Sequence, residues 1–502
     1  MHGDPAAAGP RGGEEGSRRS GGGAGGRGCS SRHDLRVAPR LDPSDVPRYG
    51  WRTFMPRHIS RYVQTTAGGE RTRHFTARQP PGILKLDSGD PYFPTPRHIR
   101  EAAQDALDAG LTRYAPGQGD PEFLAAVCET VEREAGAHYS PDDVVATNGA
   151  TSAIYAVFTA FLDPGDEVIV LDPTFSLYAL VARQLGAVPV AVPHGGDYHI
   201  DVEAVRAAVT PRTRLIMVNN PNNPTGVVYR RDELQALANL CAERDLLLVA
   251  DEAYEKILQP GCVHVPLLSL HEYRDRLILI HTFSKTYAMT GWRLGYVVAP
   301  SDLAGLLFGV HRAIAGPITT FVQRAGAAAL RGSQDCVAEM RDEYGRRGGL
   351  MHRLALDVPG LRPVEPQGGF YLYCRYDLAL SASEVRQRLW DAGVAVRSGT
   401  EFGAAGKGHL RFSYSVDEPT IEKGMAIMAE VFRHLSRTLA LLLPLVLLAG
   451  CGGEEAPKKP AVSANLCVYL PNGMTLGPYD TQKECATARE NMPRGECKPC
   501  QK

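Results

Sequence analysis

The nine residues LLLVADEAY, at positions 246–254, form an apolar run that ends in a carboxylate. A continuous run of Leu, Val and Ala is typical of a strand buried on both faces of a parallel sheet. Ligands bind at the carboxyl ends of such strands. A buried Asp needs a cationic partner or strong hydrogen-bond donors to stay charged. The stretch therefore predicts a central strand that places Asp251 in a ligand site.

Around this stretch, short apolar runs alternate with segments of helical length, such as Ser176–Leu185 and Arg231–Arg244. This alternation predicts an α/β fold with a mostly parallel sheet covered by helices. The predicted strands are Glu167–Leu171, Arg214–Asn219, Leu246–Ala250, Leu277–His281 and Leu294–Ala299.

The pattern changes after about residue 330. A long helix is predicted at Gln334–Leu356, followed by shorter strands at Gly369–Arg375 and His409–Tyr414. We therefore expect a large domain at 81–330, with an N-terminal arm, and a smaller α+β domain at 331–435.

The length and composition are those of a folded globular protein of two to three domains. The 502 residues are 44% hydrophobic and 22% charged, with a formal net charge of −1. These values exclude a wholly disordered chain, a collagen-like fibre and a polytopic membrane protein. They also provide no basic field to gather nucleic acid, so no nucleic-acid partner is expected.

Residues 1–80 differ from the rest. The first 30 residues include eleven glycines, and the 80 residues carry fourteen Arg, no Lys and seven acidic residues. Such a segment buries too little apolar surface to offset its chain entropy. We predict a disordered extension.

The C-terminal part, from residue 436, has the pattern of a bacterial lipoprotein signal. Basic residues precede the apolar run Leu439–Ala449, which leads to Cys451, and the 452–502 tail contains four more cysteines. If this signal at 436–451 is used, the tail would be exported and anchored through a lipidated Cys451, its only contact with a membrane. The alternative is a C-terminal amphipathic helix. The scattered earlier cysteines are typical of a reduced, cytoplasmic protein.

A second strand end carries a lysine. The run Leu277–His281 leads into Ser284 and Lys285, and Arg293 follows eight residues later. A desolvated lysine can form an imine, and Lys, Ser and Arg together suit a phosphate. A Schiff-base lysine combined with an Asp for a pyridinium nitrogen indicates pyridoxal 5′-phosphate.

Two further segments agree with this interpretation. Residues 147–152, TNGATS, precede the helical stretch Ala153–Phe161 and would expose backbone N–H groups to an anion, although ordinary N-capping is an alternative. Residues 219–226, NNPNNPTG, predict a turn after a strand, in which Asn223 offers an amide donor to a phenolate-like oxygen.

Residues 82–435 resemble the class I/II aminotransferases of pyridoxal phosphate fold type I, in the aspartate and aromatic aminotransferase group. The resemblance rests on motifs that occur in order: SGDP (88–91), RYAP (113–116), NGAT (148–151), LDPGDEV (162–168), NNPTG (222–226), DEAY (251–254), SK (284–285), GWRLGY (291–296) and HLRFSY (409–414).

The resemblance implies a role for each matching position. Lys285 would carry the cofactor and shuttle the proton, and Asp251 would pair with the ring nitrogen. Tyr254 and Asn223 would hydrogen-bond the ring 3-oxygen, while Phe175 would stack on the ring. The phosphate would be held by Gly149, Ala150, Thr151, Thr282, Ser284 and Arg293, with Tyr114 from the neighbouring subunit of a homodimer. The substrate would be held by Arg411, with Gly89 and Asn223, and no metal is implied.

The implied activity is transfer of an amino group between an L-amino acid and a 2-oxo acid. A lyase or cyclase using the same cofactor, such as a C–S lyase, is the alternative, because these motifs hold the cofactor rather than the substrate side chain. A transcription factor carrying this domain is a further alternative, but residues 1–80 show no helical period for a winged helix. The pattern leaves the substrate pair open.

Overall fold

The computed structural model describes residues 82–448, 466–469, 475–479 and 496–499. The predicted disorder of 1–80 and Cys451 lie outside these residues. The strands up to residue 413 are β1 (Leu84–Lys85), β2 (Val144–Thr147), β3 (Glu167–Asp172), β4 (Val188–Pro193), β5 (Thr213–Asn219), β6 (Leu247–Asp251), β7 (Leu277–Thr282), β8 (Gly295–Val298), β9 (Leu361–Pro363), β10 (Tyr371–Tyr376), β11 (Val394–Ala395), β12 (Arg397–Ser398) and β13 (His409–Ser413).

The helices lie between and after these strands. They are α1 (Arg97–Asp108), α2 (Pro121–Ala135), α3 (Gly149–Phe161), α4 (Leu177–Gln184), α5 (Val202–Ala208), α6 (Arg231–Arg244), α7 (Phe283–Thr286), α8 (Ser301–Ala315), α9 (Thr320–Arg331), α10 (Asp335–Leu356), α11 (Ala382–Asp391) and α12 (Glu418–Leu448).

A seven-stranded sheet, in the order β2-β8-β7-β6-β5-β3-β4, forms the centre of the large domain. The pairs from β4 to β7 are parallel, and only β8 runs against its two neighbours. The predicted α/β class with a mostly parallel sheet is therefore confirmed. All five predicted strands of this region lie inside the sheet, whereas the two unpredicted strands, β2 and β4, are its edges.

Both faces of this sheet are covered by apolar side chains. In β5, Ile216 and Val218 belong to the core cluster on one face, and Leu215 and Met217 belong to the cluster on the other. From Leu215 to Asn219, every residue of β5 is buried, whichever face it lies on. This explains why the central strands appear in the sequence as continuous apolar runs rather than alternating ones.

A second, antiparallel sheet in the order β12-β13-β10-β9 forms the centre of the smaller domain. Its core is shared with α10 and α12, through residues such as Met351 and Met425. The N-terminal strand β1 pairs in parallel with β11, so Leu86 also packs into this core. This pairing brings the segment after β1 close to Arg411 on β13.

The last helix, α12, continues through residue 448 and so includes most of the apolar run that was interpreted as a signal. No described helix is long and apolar enough to cross a membrane. In the tail, β14 (Leu466–Tyr469), β15 (Thr475–Tyr479) and β16 (Glu496–Pro499) form a three-stranded sheet with β14 in the middle.

Candidate active site

The site lies where β6 and β7 end. Asp251 is the last residue of β6, and Lys285 lies in the short helix α7 that directly follows β7. Because β6 and β7 are parallel neighbours, with Asp251 paired to Ile280, their carboxyl ends meet at one edge of the sheet. The topology therefore brings together the two residues that the sequence pattern singled out first.

Asp251 is buried and accepts hydrogen bonds from neutral donors. The Tyr178 hydroxyl donates to Oδ2 over 2.8 Å, and the Ala253 backbone N–H donates to Oδ1 over 3.2 Å. Burial raises the pKa of Asp251 from 3.8 to about 6, and the two donors only partly counteract this. A cationic N–H placed against this carboxylate would lower its pKa again.

Lys285 is half-buried and makes one short polar contact. Its Nζ donates to the Gly89 carbonyl oxygen over 2.6 Å, and it lies 5.9 Å from the centre of the Phe370 ring. Gly89 follows β1, the strand that is paired with the smaller domain. The amine is therefore held between the two domains, at the end of the large-domain sheet.

The predicted phosphate-binding residues gather around the start of α3. Gly149 has φ +75°, and a Cβ placed on it would lie 2.6 Å from Nη2 of Arg293. Arg293 donates to the carbonyl oxygens of Thr290 (2.9 Å) and Asn148 (3.4 Å). The guanidinium is thereby aligned beside the N-terminus of a helix, an arrangement that favours an anion.

The two hydroxyls predicted for the phosphate join this group. Thr282 donates to Ser284 Oγ over 2.9 Å, and its Oγ1 also lies 3.1 Å from the Leu294 carbonyl oxygen. Thr282 is paired with Gly295, and a Cβ on Gly295 would lie 3.1 Å from the Cα of Gly149. The close approach of these glycines places the hydroxyls next to the start of α3, where Ala150 is half-buried and Thr151 exposed.

Arg411, on β13, is buried and incompletely paired. Its Nη1 donates to Asn223 Oδ1 and its Nη2 to the Asp87 carbonyl oxygen, each over 3.0 Å, while its Nε is buried with no hydrogen-bond partner among the described residues. The guanidinium carbon lies 4.0 Å from the Tyr371 ring centre. Burial lowers the pKa of Arg411. A carboxylate would satisfy the unpaired N–H.

The remaining predicted residues differ in how the single chain places them. Tyr254 is buried with its hydroxyl 3.0 Å from that of Tyr371. Phe175 lies just past the end of β3 and meets Tyr178 edge-on, with ring centres 5.7 Å apart. Tyr114 is 86% exposed.

Sequence reasoning missed two residues that contact the site, Tyr178 and Tyr371. Tyr178 lies within a helix that was predicted, but the sequence carries no signal that its hydroxyl reaches Asp251. Tyr371 lies two residues after the pair Gly368-Gly369, near the start of a predicted strand, and this glycine pair was the signal that could have drawn attention to it.

Comparison with known proteins gives one consistent result. A sequence model of the family described as "Aminotransferase class I and II" matches residues 81–427. An aspartate aminotransferase of Pyrococcus abyssi is 37% identical over 363 residues, which cover 71% of this chain and 93% of that protein. An aspartate/prephenate aminotransferase of Thermus thermophilus is 39% identical, covering 70% and 92% respectively.

Solved structures agree. The structure of the T. thermophilus aspartate aminotransferase with maleate superposes with a TM-score of 0.69 at 36% identity, covering 75% of this chain and all of that one. A structure titled Pyrococcus protein-A1 gives a TM-score of 0.72 at 35% identity, covering 74% and 98%. An aromatic-amino-acid aminotransferase of Thermococcus litoralis is 37% identical in sequence over 70% of this chain and 92% of its own length.

Proposed function

The chain belongs to the class I and II aminotransferases and is a pyridoxal phosphate-dependent enzyme of that family, and we propose that Lys285, Asp251 and Arg411 form the centre of its site. The observation that supports this proposal is the meeting of Asp251 and Lys285 at the carboxyl ends of neighbouring parallel strands. The enzyme transfers an amino group between an amino acid and a 2-oxo acid.

The residues present fit the cofactor. Asp251 is a buried carboxylate with neutral donors, which suits a protonated pyridine nitrogen. Arg293, Thr282 and Ser284 surround the N-terminus of α3, which suits a phosphate. Bound pyridoxal phosphate supplies an electron-withdrawing ring that stabilises negative charge on the α-carbon of the amino acid.

Each of the chain's own groups would then have a separate task. Arg411 binds the α-carboxylate bidentately, and its unpaired Nε supplies one of the N–H groups. Lys285 Nζ would take the proton from the α-carbon and deliver it to C4′, the cofactor carbon that receives the amino group. Asp251 would keep the ring nitrogen protonated, and Tyr254 and Asn223 would donate hydrogen bonds to the ring 3-oxygen. Burial of Asp251 and Arg411 keeps water away from these charges.

The lyase alternative uses the same site and is no better supported by the comparisons. Adding a 2-oxo acid distinguishes the two reactions. An aminotransferase completes a second half-reaction and regenerates the starting enzyme, whereas a C–S lyase releases its product without an acceptor.

We propose that the amino donor is acidic, with L-aspartate as the first substrate to test. Arg397 on β12 is the register partner of Arg411 on β13, so the two guanidiniums start from the same face of neighbouring strands. Arg397 is about one-third exposed and is paired with Glu401 over 3.1 Å. The printed names of the aspartate aminotransferases among the relatives agree with a second carboxylate on the substrate.

The test measures the first half-reaction of the loaded enzyme with L-aspartate, L-phenylalanine and L-alanine by absorption. We expect L-aspartate to react with the highest kcat/KM, and Arg397→Met to lower the preference for L-aspartate over L-phenylalanine by about tenfold or more, the worth of a charge-assisted pair. Arg362→Met is the matched control, because Arg362 is an exposed arginine on β9, at the opposite edge of the same sheet. Preference for L-phenylalanine in the wild-type enzyme would contradict the acidic donor and leave the transamination intact.

We also propose that the working enzyme is a homodimer located in the cytoplasm. The exposure of Tyr114 suits a residue that completes the site of a neighbouring subunit. For the C-terminal part, we retain the proposal that cleavage before Cys451 would free the enzyme and leave a lipid-anchored tail. A single full-length 54.4 kDa band confined to the cytosolic fraction of cells would contradict cleavage.

A further inference from the structure

Tyr371 touches two parts of the site that the proposed function uses for different tasks. Its hydroxyl lies 3.0 Å from the hydroxyl of Tyr254, and its ring centre lies 4.0 Å from the guanidinium carbon of Arg411. The Tyr371 side chain is buried, with a relative exposure of 2%. One side chain therefore packs between the group proposed for the cofactor and the group proposed for the substrate.

The number of available protons determines which of the two phenols donates the hydrogen bond between Tyr254 and Tyr371. Burial raises the pKa of Tyr254 well above its usual value, so this phenol is neutral and has one proton to donate. If that proton is directed at the 3-oxygen of the cofactor, the hydrogen bond between the tyrosines must be donated by Tyr371. A phenol that accepts a hydrogen bond becomes a stronger donor through its own O–H.

The position of the Tyr371 hydroxyl is set by close packing. A Cβ on Gly89 would lie only 2.7 Å from this hydroxyl. Because Gly89 has no side chain, the Tyr371 hydroxyl can occupy this space. Gly89 is also the residue whose carbonyl oxygen accepts from Lys285. The hydroxyl is thereby confined between Gly89 and Tyr254.

The ring has a separate effect on Arg411. A guanidinium stacked on an aromatic face is attracted to the ring electrons and keeps its plane parallel to the ring. Two hydrogen bonds hold one end of the Arg411 guanidinium, and its Nε is unpaired. The Tyr371 ring is thus a surface that orients Arg411 without using the N–H groups needed for a carboxylate.

We propose that Tyr371 is a positioning residue with two separable roles: its hydroxyl donates to Tyr254 and its ring supports Arg411. This inference rests on the proposed roles of Tyr254 and Arg411.

The hydroxyl is tested by the pH dependence of the visible absorption of the cofactor-loaded enzyme, without substrate. A hydrogen-bond donor to the ring 3-oxygen stabilises the negative charge on that oxygen. This stabilisation is largest when the Lys285 nitrogen bound to the cofactor is unprotonated. Losing that donor therefore moves the absorption midpoint to higher pH. We expect Tyr254→Phe to give the larger shift and Tyr371→Phe a smaller one in the same direction, a change of about two- to fivefold in proton affinity, as for one net hydrogen bond.

Tyr373→Phe is the matched control. Tyr373 lies on the same strand two residues further on, its ring stacks on His409, and its buried hydroxyl has no hydrogen-bond partner among the described residues. We expect no shift of the midpoint. A shift in Tyr254→Phe with none in Tyr371→Phe would overturn the role of the Tyr371 hydroxyl and leave the proposed function intact. No shift in Tyr254→Phe would show that the proposed role of Tyr254 is wrong.

The ring is tested by comparing Tyr371→Phe with Tyr371→Leu, or with Tyr371→Met if the Leu variant does not fold. Phe keeps the aromatic face, so the KM for the amino donor should stay within about twofold of wild type, whereas Leu should raise the KM about fivefold or more. Equal KM values for the Phe and Leu variants would overturn the supporting role of the ring. Thermal unfolding of each variant without cofactor identifies any general loss of stability.

Discussion

The buried, ionised carboxylate of Asp251 destabilises the folded protein unless a cation lies next to it. Its pKa is about 6 in the folded chain against an ordinary value of 3.8. Folding therefore favours the protonated form, and the stability present below pH 3.8 is lost as the pH rises through 6. A shift of this size corresponds to about 3 kcal/mol at most.

Asp251→Asn should therefore stabilise the cofactor-free protein while abolishing transamination. We expect its free energy of unfolding at pH 7.5 to exceed that of wild type by about 1–3 kcal/mol, because the desolvated charge is gone. The gain should shrink towards pH 5, where the wild-type carboxyl is largely protonated. Denaturant unfolding at the two pH values measures this, and an equal gain at both would contradict the cause given.

Lys285 is the residue whose loss should remove the visible absorption of the bound cofactor. Lys285→Ala keeps Asp251 and the groups around the start of α3, so the cofactor should still bind by non-covalent contacts. We expect its spectrum to resemble that of free pyridoxal phosphate and its activity to fall by several orders of magnitude. A retained visible band with the wild-type pH dependence would mean that another lysine carries the cofactor.

At the scale of elements, the start of α3 depends on a glycine. Gly149 has φ +75°, a conformation that L-residues rarely adopt, and any Cβ would press on Arg293. Gly149→Ala should therefore displace the guanidinium and weaken cofactor affinity about tenfold or more, in line with the cost of strain in this backbone region.

The control for this prediction is Gly291→Ala, in the neighbouring turn. A Cβ there meets nothing within 4 Å, and no left-handed φ is required. Equilibrium dialysis of pyridoxal phosphate against both variants measures the difference. Equal affinities would show that the Gly149–Arg293 contact does not form the phosphate site.

The elements that could be predicted from sequence are those with the most uniform surroundings. The five central strands of the main sheet are buried on both faces and gave continuous apolar runs, and α6 was predicted with its observed bounds, Arg231–Arg244. Edge strand β4 could not be predicted because it is half exposed and contains Pro189 and Pro193. Proline is tolerated in a strand only where the missing N–H is not needed to pair with a neighbouring strand, as at the edge of a sheet. Edge strand β2 has only four residues, too few for a pattern.

At the scale of the whole molecule, a homodimer with shared sites can be tested by mixing two different variant chains. If Tyr114 completes the neighbouring site, mixing Lys285→Ala chains with Tyr114→Ala chains should repair some sites. In a mixed dimer, the chain that retains Lys285 receives an intact Tyr114 from its partner.

The measurement is the cofactor affinity of the sites that show the visible band, which come only from Tyr114→Ala chains. After unfolding and refolding the two chains together, we expect a fraction of these sites to regain the wild-type affinity. Refolding the Tyr114→Ala chains alone is the control. No gain on mixing would show that Tyr114 acts within its own subunit or not at the site.

The sequence by itself determined the fold class, because burial on both faces of a parallel sheet leaves continuous apolar runs in the chain. Its ordered motifs identified the family through their resemblance to known members, and the polar residues at two strand ends drew attention to Asp251 and Lys285. Only the tertiary structure decided which side chains surround those residues. Tyr178 reaches Asp251 across 73 positions, and Tyr371 reaches Tyr254 across 117. Such contacts depend on how helices and domains pack against each other, and packing at that separation leaves no periodicity in one sequence to read.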